Sequence, residues 1–139
     1  MKKIWFSLTV ALVVWSVVCI SPHPAHAQSG ILVADIPFDF YVGAEKLLSG
    51  RYTVRTQGDP ALLRISDGAG HATLTYSHAI NTSDTTRSLM IFNRYGDQYF
   101  LSEVRWSGSV ARQLMMSQFE TQIAKHSAPP RVIAVRNTR

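Results

Sequence analysis

Three groups of side chains in this chain could do chemistry: histidines, carboxylates and a polar–aromatic turn. Beyond residue 27 the histidines are His71, His78 and His126. A metal centre needs ligands that converge, and His71 and His78, seven residues apart, fall on opposite faces if one strand runs through both. Their spacing matches none of the usual zinc patterns, and the adjacent Met115 and Met116 read as packing rather than as a copper site. Asp39, Glu45, Asp97 and Glu103 could supply the paired carboxylates of glycoside cleavage. Nothing in their spacing sets a separation, and they read better as outward strand or turn residues. Asp59, Asp67 and Asp84 sit in turn sequences, where Asp bonds local backbone. There is no G-x-S-x-G elbow and no H-E-x-x-H. Gly68-Ala69-Gly70 is too short to cradle a phosphate and leads into a strand rather than a helix. These patterns point away from an enzyme, with no metal and no cofactor expected.

The better candidates for function are contacts. In Asn93-Arg94-Tyr95-Gly96-Asp97 the residues Arg94, Tyr95 and Asp97 would form a hairpin tip, and Tyr and Arg are enriched at recognition hot spots. The competing reading is a structural turn in which Arg94 and Asp97 pair across the bend, worth at most about 1 kcal/mol if exposed. Tyr41, opposite in phase to Phe40, is a second candidate contact for a partner. Trp106 reads as core.

These residues must be carried by strands. Leu89 to Trp106 reads as a β-hairpin, two apolar runs flanking Tyr95-Gly96-Asp97, and a hairpin needs other strands to bury its apolar face. Upstream, Ile36, Phe38, Phe40 and Val42 alternate with Pro37, Asp39 and Tyr41 in a half-buried strand, which Pro37 places at an edge or divides in two. Ala44 to Gly50 reads as a connection. Arg51–Arg55, with Tyr52 and Val54 inward, and Ala61–Ser66, with Leu63 and Ile65 on one face, follow as strands. Ala72–Ile80 is another, with Leu74 and Tyr76 opposite Thr73, Thr75 and Ser77. Asn81–Thr86 is a polar loop. Ser117-x-x-Glu120 is a capping-box pattern, which makes Val110–Met116 a short strand and Gln118–His126 a short helix. The interval of four linking Met115, Phe119 and Ile123 keeps one continuous helix open. Pro129-Pro130 ends any helix, and Arg131–Arg139 is either disordered or one short strand through Val132–Val135. The expected fold is mainly β, an antiparallel β-sandwich or small barrel of six to seven strands with one short C-terminal helix. It would fill residues 28–126 and be followed by a basic, flexible tail at 127–139.

The N-terminal residues suggest a destination. Met1-Lys2-Lys3 is a basic start, Ile4–Ile20 a nearly unbroken apolar run, and Ala25-His26-Ala27 a small-x-small cleavage pattern, so residues 1–27 read as a signal peptide. A retained anchor is the alternative, at the lower limit of spanning length; a lipoprotein would use Cys19, though Val18 is the wrong size before it. Removing 27 of the 139 residues leaves 112, enough to bury a core without staples. Cys19 is the one cysteine, so the mature chain would have neither a disulfide nor a thiolate ligand. Without Lys2 and Lys3 the fourteen basic residues fall to twelve against nine acidic. Lys125, Arg131, Arg136 and Arg139 lie in the acid-free last stretch, so the body is near neutral and lacks a nucleic-acid footprint.

Two stretches carry a resemblance: Ile36-Pro37-Phe38-Asp39-Phe40-Tyr41-Val42-Gly43 with Leu48-Ser49-Gly50-Arg51-Tyr52-Thr53-Val54, and Phe92-Asn93-Arg94-Tyr95-Gly96-Asp97-Gln98-Tyr99-Phe100-Leu101. They resemble small exported bacterial proteins of uncharacterised function with IPFxFxVG, LxxGxYxV and FNRYGDxYFL motifs. Leu48-Ser49 stands where that group has Pro-Ala, and Met115-Met116 where it has a Pro-containing bend. The resemblance implies an exported β-rich fold and assigns no catalytic or binding residue. Together these readings give an exported, periplasmic or extracellular, non-enzymatic binding or interaction protein of the cell envelope. Its partner would be an envelope protein or polysaccharide, with no nucleic acid and no stable membrane span after cleavage. The alternative is a β-barrel carrier of a small apolar ligand, with Phe38, Phe40, Phe92 and Phe100 lining a pocket.

Overall fold

The computed structural model describes residues 30–84, 86–108 and 111–138; the expected signal peptide at 1–27 and Val110, the first residue of the expected strand Val110–Met116, lie outside them. Pro37 divides the first alternating run, as its missing N–H requires, into β1 (Leu32–Ile36) and β2 (Phe40–Val42). The stretch expected as a plain connection contains β3 (Glu45–Leu47), which forms a hairpin with β2 around Gly43. Next come β4 (Gly50–Gln57), β5 (Asp59–Asp67), β6 (Ala72–Ile80), β7 (Leu89–Tyr95) and β8 (Gln98–Arg105). The capping signal at Ser117 separates β9 (Ala111–Leu114) from α1 (Gln118–His126), so the single long helix does not form.

Arg131–Arg136 is β10, antiparallel to β7 from Arg131 opposite Arg94 to Arg136 opposite Leu89. The flexible tail expected at 127–139 therefore gives way to the other reading of that segment. Ile133 and Val135 pack against the core while Val132, Ala134 and Arg136 are exposed, the period-two pattern of a half-buried strand. Beyond it, Thr138 N–H donates to Val33 O at 3.0 Å, and Asn137 Oδ1 accepts from Val33 N–H at 3.4 Å.

The described residues thus hold ten strands, not six or seven, in a sheet of order β1-β4-β5-β6-β9-β8-β2-β3, with β7 on β8 and β10 on β7. The excess comes from the division of the first alternating run into β1 and β2, from β3, whose three residues are too few to show a period, and from β10. The pairings are antiparallel except β2–β8, which meet in parallel at Tyr41 and Phe100, so the sheet is mixed. Strand β6 pairs β5 through Ala72–Tyr76 and β9 through Ser77–Ile80. The main core gathers Leu32, Ile36, Phe40, Val54, Leu63, Ile65, Met90, Phe92 and Val104; burial of each such side chain contributes about 1.5–3 kcal/mol. Trp106 joins that core, and a Cβ on Gly30 would come within 2.5 Å of its indole. Among the described residues no helix is long and apolar enough to cross a membrane.

Candidate functional site

The β7–β8 hairpin turns through Gly96-Asp97, with Gly96 at φ +59°, the arrangement of a two-residue loop with glycine first. Its inner face supplies Met90, Phe92, Leu101 and Val104 to the main core. Its outer face carries Ile91, Asn93, Tyr95 and Phe100, and α1 lies over that face. Phe119 stands 5.8 Å from Phe100 and 5.2 Å from Tyr41, ring centre to ring centre, and Tyr41 stacks on Phe100 at 5.0 Å. Helix and hairpin therefore enclose a second small cluster, separate from the main core.

Ser117 fixes the helix start. Its Oγ accepts from Glu120 N–H at 3.1 Å and donates to Gly43 O at 2.9 Å, tying the cap to the β2–β3 turn. Only half of the expected capping box forms. Instead of reaching back toward the helix start, the Glu120 carboxylate turns into the cluster, where Oε1 accepts from Asn93 Nδ2 at 3.2 Å. Glu120 is 5% exposed. Burial raises its pKa above the ordinary carboxylate range, opposed by hydrogen bonds from Asn93 and Tyr95. The Tyr95 hydroxyl is raised as well, first by burial and then by the neighbouring carboxylate.

Glu120 and Asn93 line a surface groove of about 380 Å³ together with His78 and Gln113, which are partners across the paired strands β6 and β9, Ser102, Leu114, and the pair Met115 and Met116. His78 Nε2 lies 3.2 Å from Gln113 Oε1 and donates to it. The Ser102 hydroxyl donates to Ile91 O at 3.1 Å. Met115 and Met116 are 69% and 52% exposed, so their expected role as packing residues does not hold. Leu74 and Tyr76, two positions apart and in phase with His78 on β6, are also more than half exposed. In β6 it is Thr73 and Ser77 that point inward.

The expected contact residues have different fates. Asp97 is fully exposed, and Arg94 bridges the bend, with its Nε donating to Gly96 O at 2.7 Å, a guanidinium nitrogen 3.5 Å from Asp97, and its cation 5.2 Å from the Tyr99 ring. Tyr95, expected at the exposed tip, is 5% exposed and packs on Phe100, because it is the last strand residue of the outer face and α1 covers it. Tyr41, expected to be exposed, is half-buried between Phe100 and Phe119. The four do not form one surface.

The catalytic and metal candidates are engaged locally. His71 Nδ1 sits 3.0 Å from Asp67, whose other oxygen accepts from Ala69 and His71 backbone N–H groups. Asp39 holds Ser49 N–H and Lys46, and Glu103 pairs with Arg105. Among the described residues no three His, Cys, Asp or Glu side chains could share a metal ion. Phe40, Phe92 and Phe100, proposed pocket liners for a carrier, are at most 1% exposed, and Phe40 and Phe92 meet edge to face at 5.3 Å.

Glu120 is the residue that motif reading missed as a site. The signal lay in Asn93, a polar residue between Ile91 and Tyr95 on one face of an apolar strand, since an amide set between buried side chains calls for a partner. No protein-family model, curated protein or solved structure matches the chain.

Proposed function

We propose that this chain is an exported, non-enzymatic binding protein of the cell envelope, cleaved after Ala27, whose recognition surface is the outer face of β6 and the groove beside it. The observation that carries the reading is the exposed apolar strip formed by Leu74 and Tyr76 on β6, with Met115 and Met116 at the groove. A sheet with a solvated face ordinarily puts polar residues there, and contiguous exposed apolar surface marks contact sites. A partner protein or polysaccharide would cover the strip, with Tyr76 as the aromatic anchor. The near-neutral body argues against a nucleic acid partner.

A small barrel is the architecture this reading favours, because the bonds from Asn137 and Thr138 to Val33 bring the chain beyond β10 against the first strand. The interior is filled by packed aromatic rings, which favours surface recognition over internal carriage of a ligand. Crosslinking in envelope fractions tests the function: wild type should capture a partner that Leu74→Ser/Tyr76→Ser does not. Equal capture by both would remove the strip from the proposal, and a chain beginning at Met1 by intact mass would remove cleavage.

A further inference from the structure

The groove beside α1 has an unusual balance of donors and acceptors. Three donors that could face it are turned to internal acceptors: Asn93 Nδ2 to Glu120, Ser102 Oγ–H to Ile91 O, and His78 Nε2 to Gln113 Oε1. Left to the groove are the remaining acceptor sites of the Glu120 carboxylate, the Asn93 carbonyl and the Ser102 lone pairs, against the second N–H of Asn93 Nδ2 and the amide N–H₂ of Gln113. Among the described residues no Lys or Arg lines it and no cation pairs with Glu120. A buried carboxylate without a counter-charge is costly to keep ionised, and a positively charged guest supplies what the walls lack.

The rest of the groove limits what kind of cation fits. A hard metal ion takes six or more oxygen ligands, usually with several carboxylates, and this groove offers one. Met115 and Met116 instead present flexible thioether walls, suited to an aliphatic chain of loose shape.

We propose that the groove seats a primary alkylammonium group, its nitrogen on the Glu120 carboxylate and its methylene stem along Met115 and Met116. The inference rests on the binding reading above and names the ligand class of the groove. An alkylammonium could come from a free aliphatic amine or from a lysine side chain of a peptide.

Titration of the ¹⁵N-labelled protein with n-butylammonium, followed by NMR, tests it. Saturable shifts are expected at His78, Asn93, Ser102 and Gln113. The neutral isostere n-butanol should bind at least roughly tenfold more weakly, as loss of a charge-assisted hydrogen bond implies. Glu120→Gln, isosteric and able to keep the Asn93 contact, should weaken n-butylammonium similarly. Met115→Ser/Met116→Ser should weaken n-butylammonium but leave methylammonium unchanged. Tighter binding of Nα-acetyl-lysine amide than of n-butylammonium would point to a peptide source, and the reverse to a free amine. Equal affinity for n-butanol, unchanged affinity in Glu120→Gln, or shifts confined to other residues would overturn the proposal. If the amine fails while Leu74 and Tyr76 still govern crosslinking, the ligand class is wrong and the recognition surface stands.

Discussion

Asn93 Nδ2 and Glu120 Oε1, 3.2 Å apart, join the outer face of the central hairpin to the first turn of the helix. Glu120 is buried and Asn93 half-buried, so the bond satisfies one donor of the amide and one acceptor site of the carboxylate, and the carboxylate keeps a raised pKa chiefly through burial.

The raised pKa sets a sign for pH dependence. A carboxyl group that is harder to ionise folded than unfolded favours the fold when protonated. Its contribution is fully present below the ordinary carboxylate range and is lost as pH rises through the folded value. Glu120→Gln removes the titration. Its melting temperature relative to wild type should therefore rise between about pH 4 and about pH 8. A difference constant across that range would show that Glu120 does not titrate in this way. Asp35, Asp39, Asp67 and Asp84 have lowered pKa values, each first through a hydrogen bond to its carboxylate, and act oppositely, losing their contribution as pH falls through their folded values.

Tyr95 and Asp97 lie two residues apart yet should respond in opposite ways to truncation. Tyr95→Ala empties a packed site beside Phe100 and should cost about 3 kcal/mol in urea unfolding. Asp97→Ala, at a fully exposed position, should stay within about 0.5 kcal/mol of wild type. Comparable losses at both positions would contradict this division of the turn.

Ser117→Ala removes the acceptor for Glu120 N–H and the donor to Gly43 O together. A cost of about 1–2 kcal/mol is expected, with faster amide exchange in both α1 and the β2–β3 hairpin. Faster exchange in the helix alone would mean that the Gly43 contact is dispensable.

Much of the hairpin and helix was legible because each has a local signal: Gly96 for the reversal, Ser117 for the helix start, Pro37 for the break between β1 and β2. The face of β6 was not. Leu74 and Tyr76 alternate with Thr73, Thr75 and Ser77, and alternation gives two faces without saying which one is buried. Tertiary pairing put Thr73 and Ser77 inside. Tyr95 was misplaced for a related reason, since a turn-flanking aromatic looks exposed until the helix that covers it is known. Glu120 was read through its backbone role as a capping residue, and the destination of its side chain depends on Asn93, 27 positions away.

Removal of residues 137–139 should leave β10 paired with β7 but strip Val33 of three bonds. Hydrogen exchange at the Val33 amide should accelerate, with little change at Ile133. Unchanged protection at Val33 would show that the terminal contacts carry no local stability.

The bond from Thr138 to Val33 also bears on when the fold can form. It joins positions 105 residues apart, and β10 completes the pairing of β7 only after the helix has been made. Contacts of such separation slow folding, because loop closure precedes any gain from them. The edge strand β1 therefore gains its contacts with residues 137 and 138 late in folding, after β10 has docked on β7.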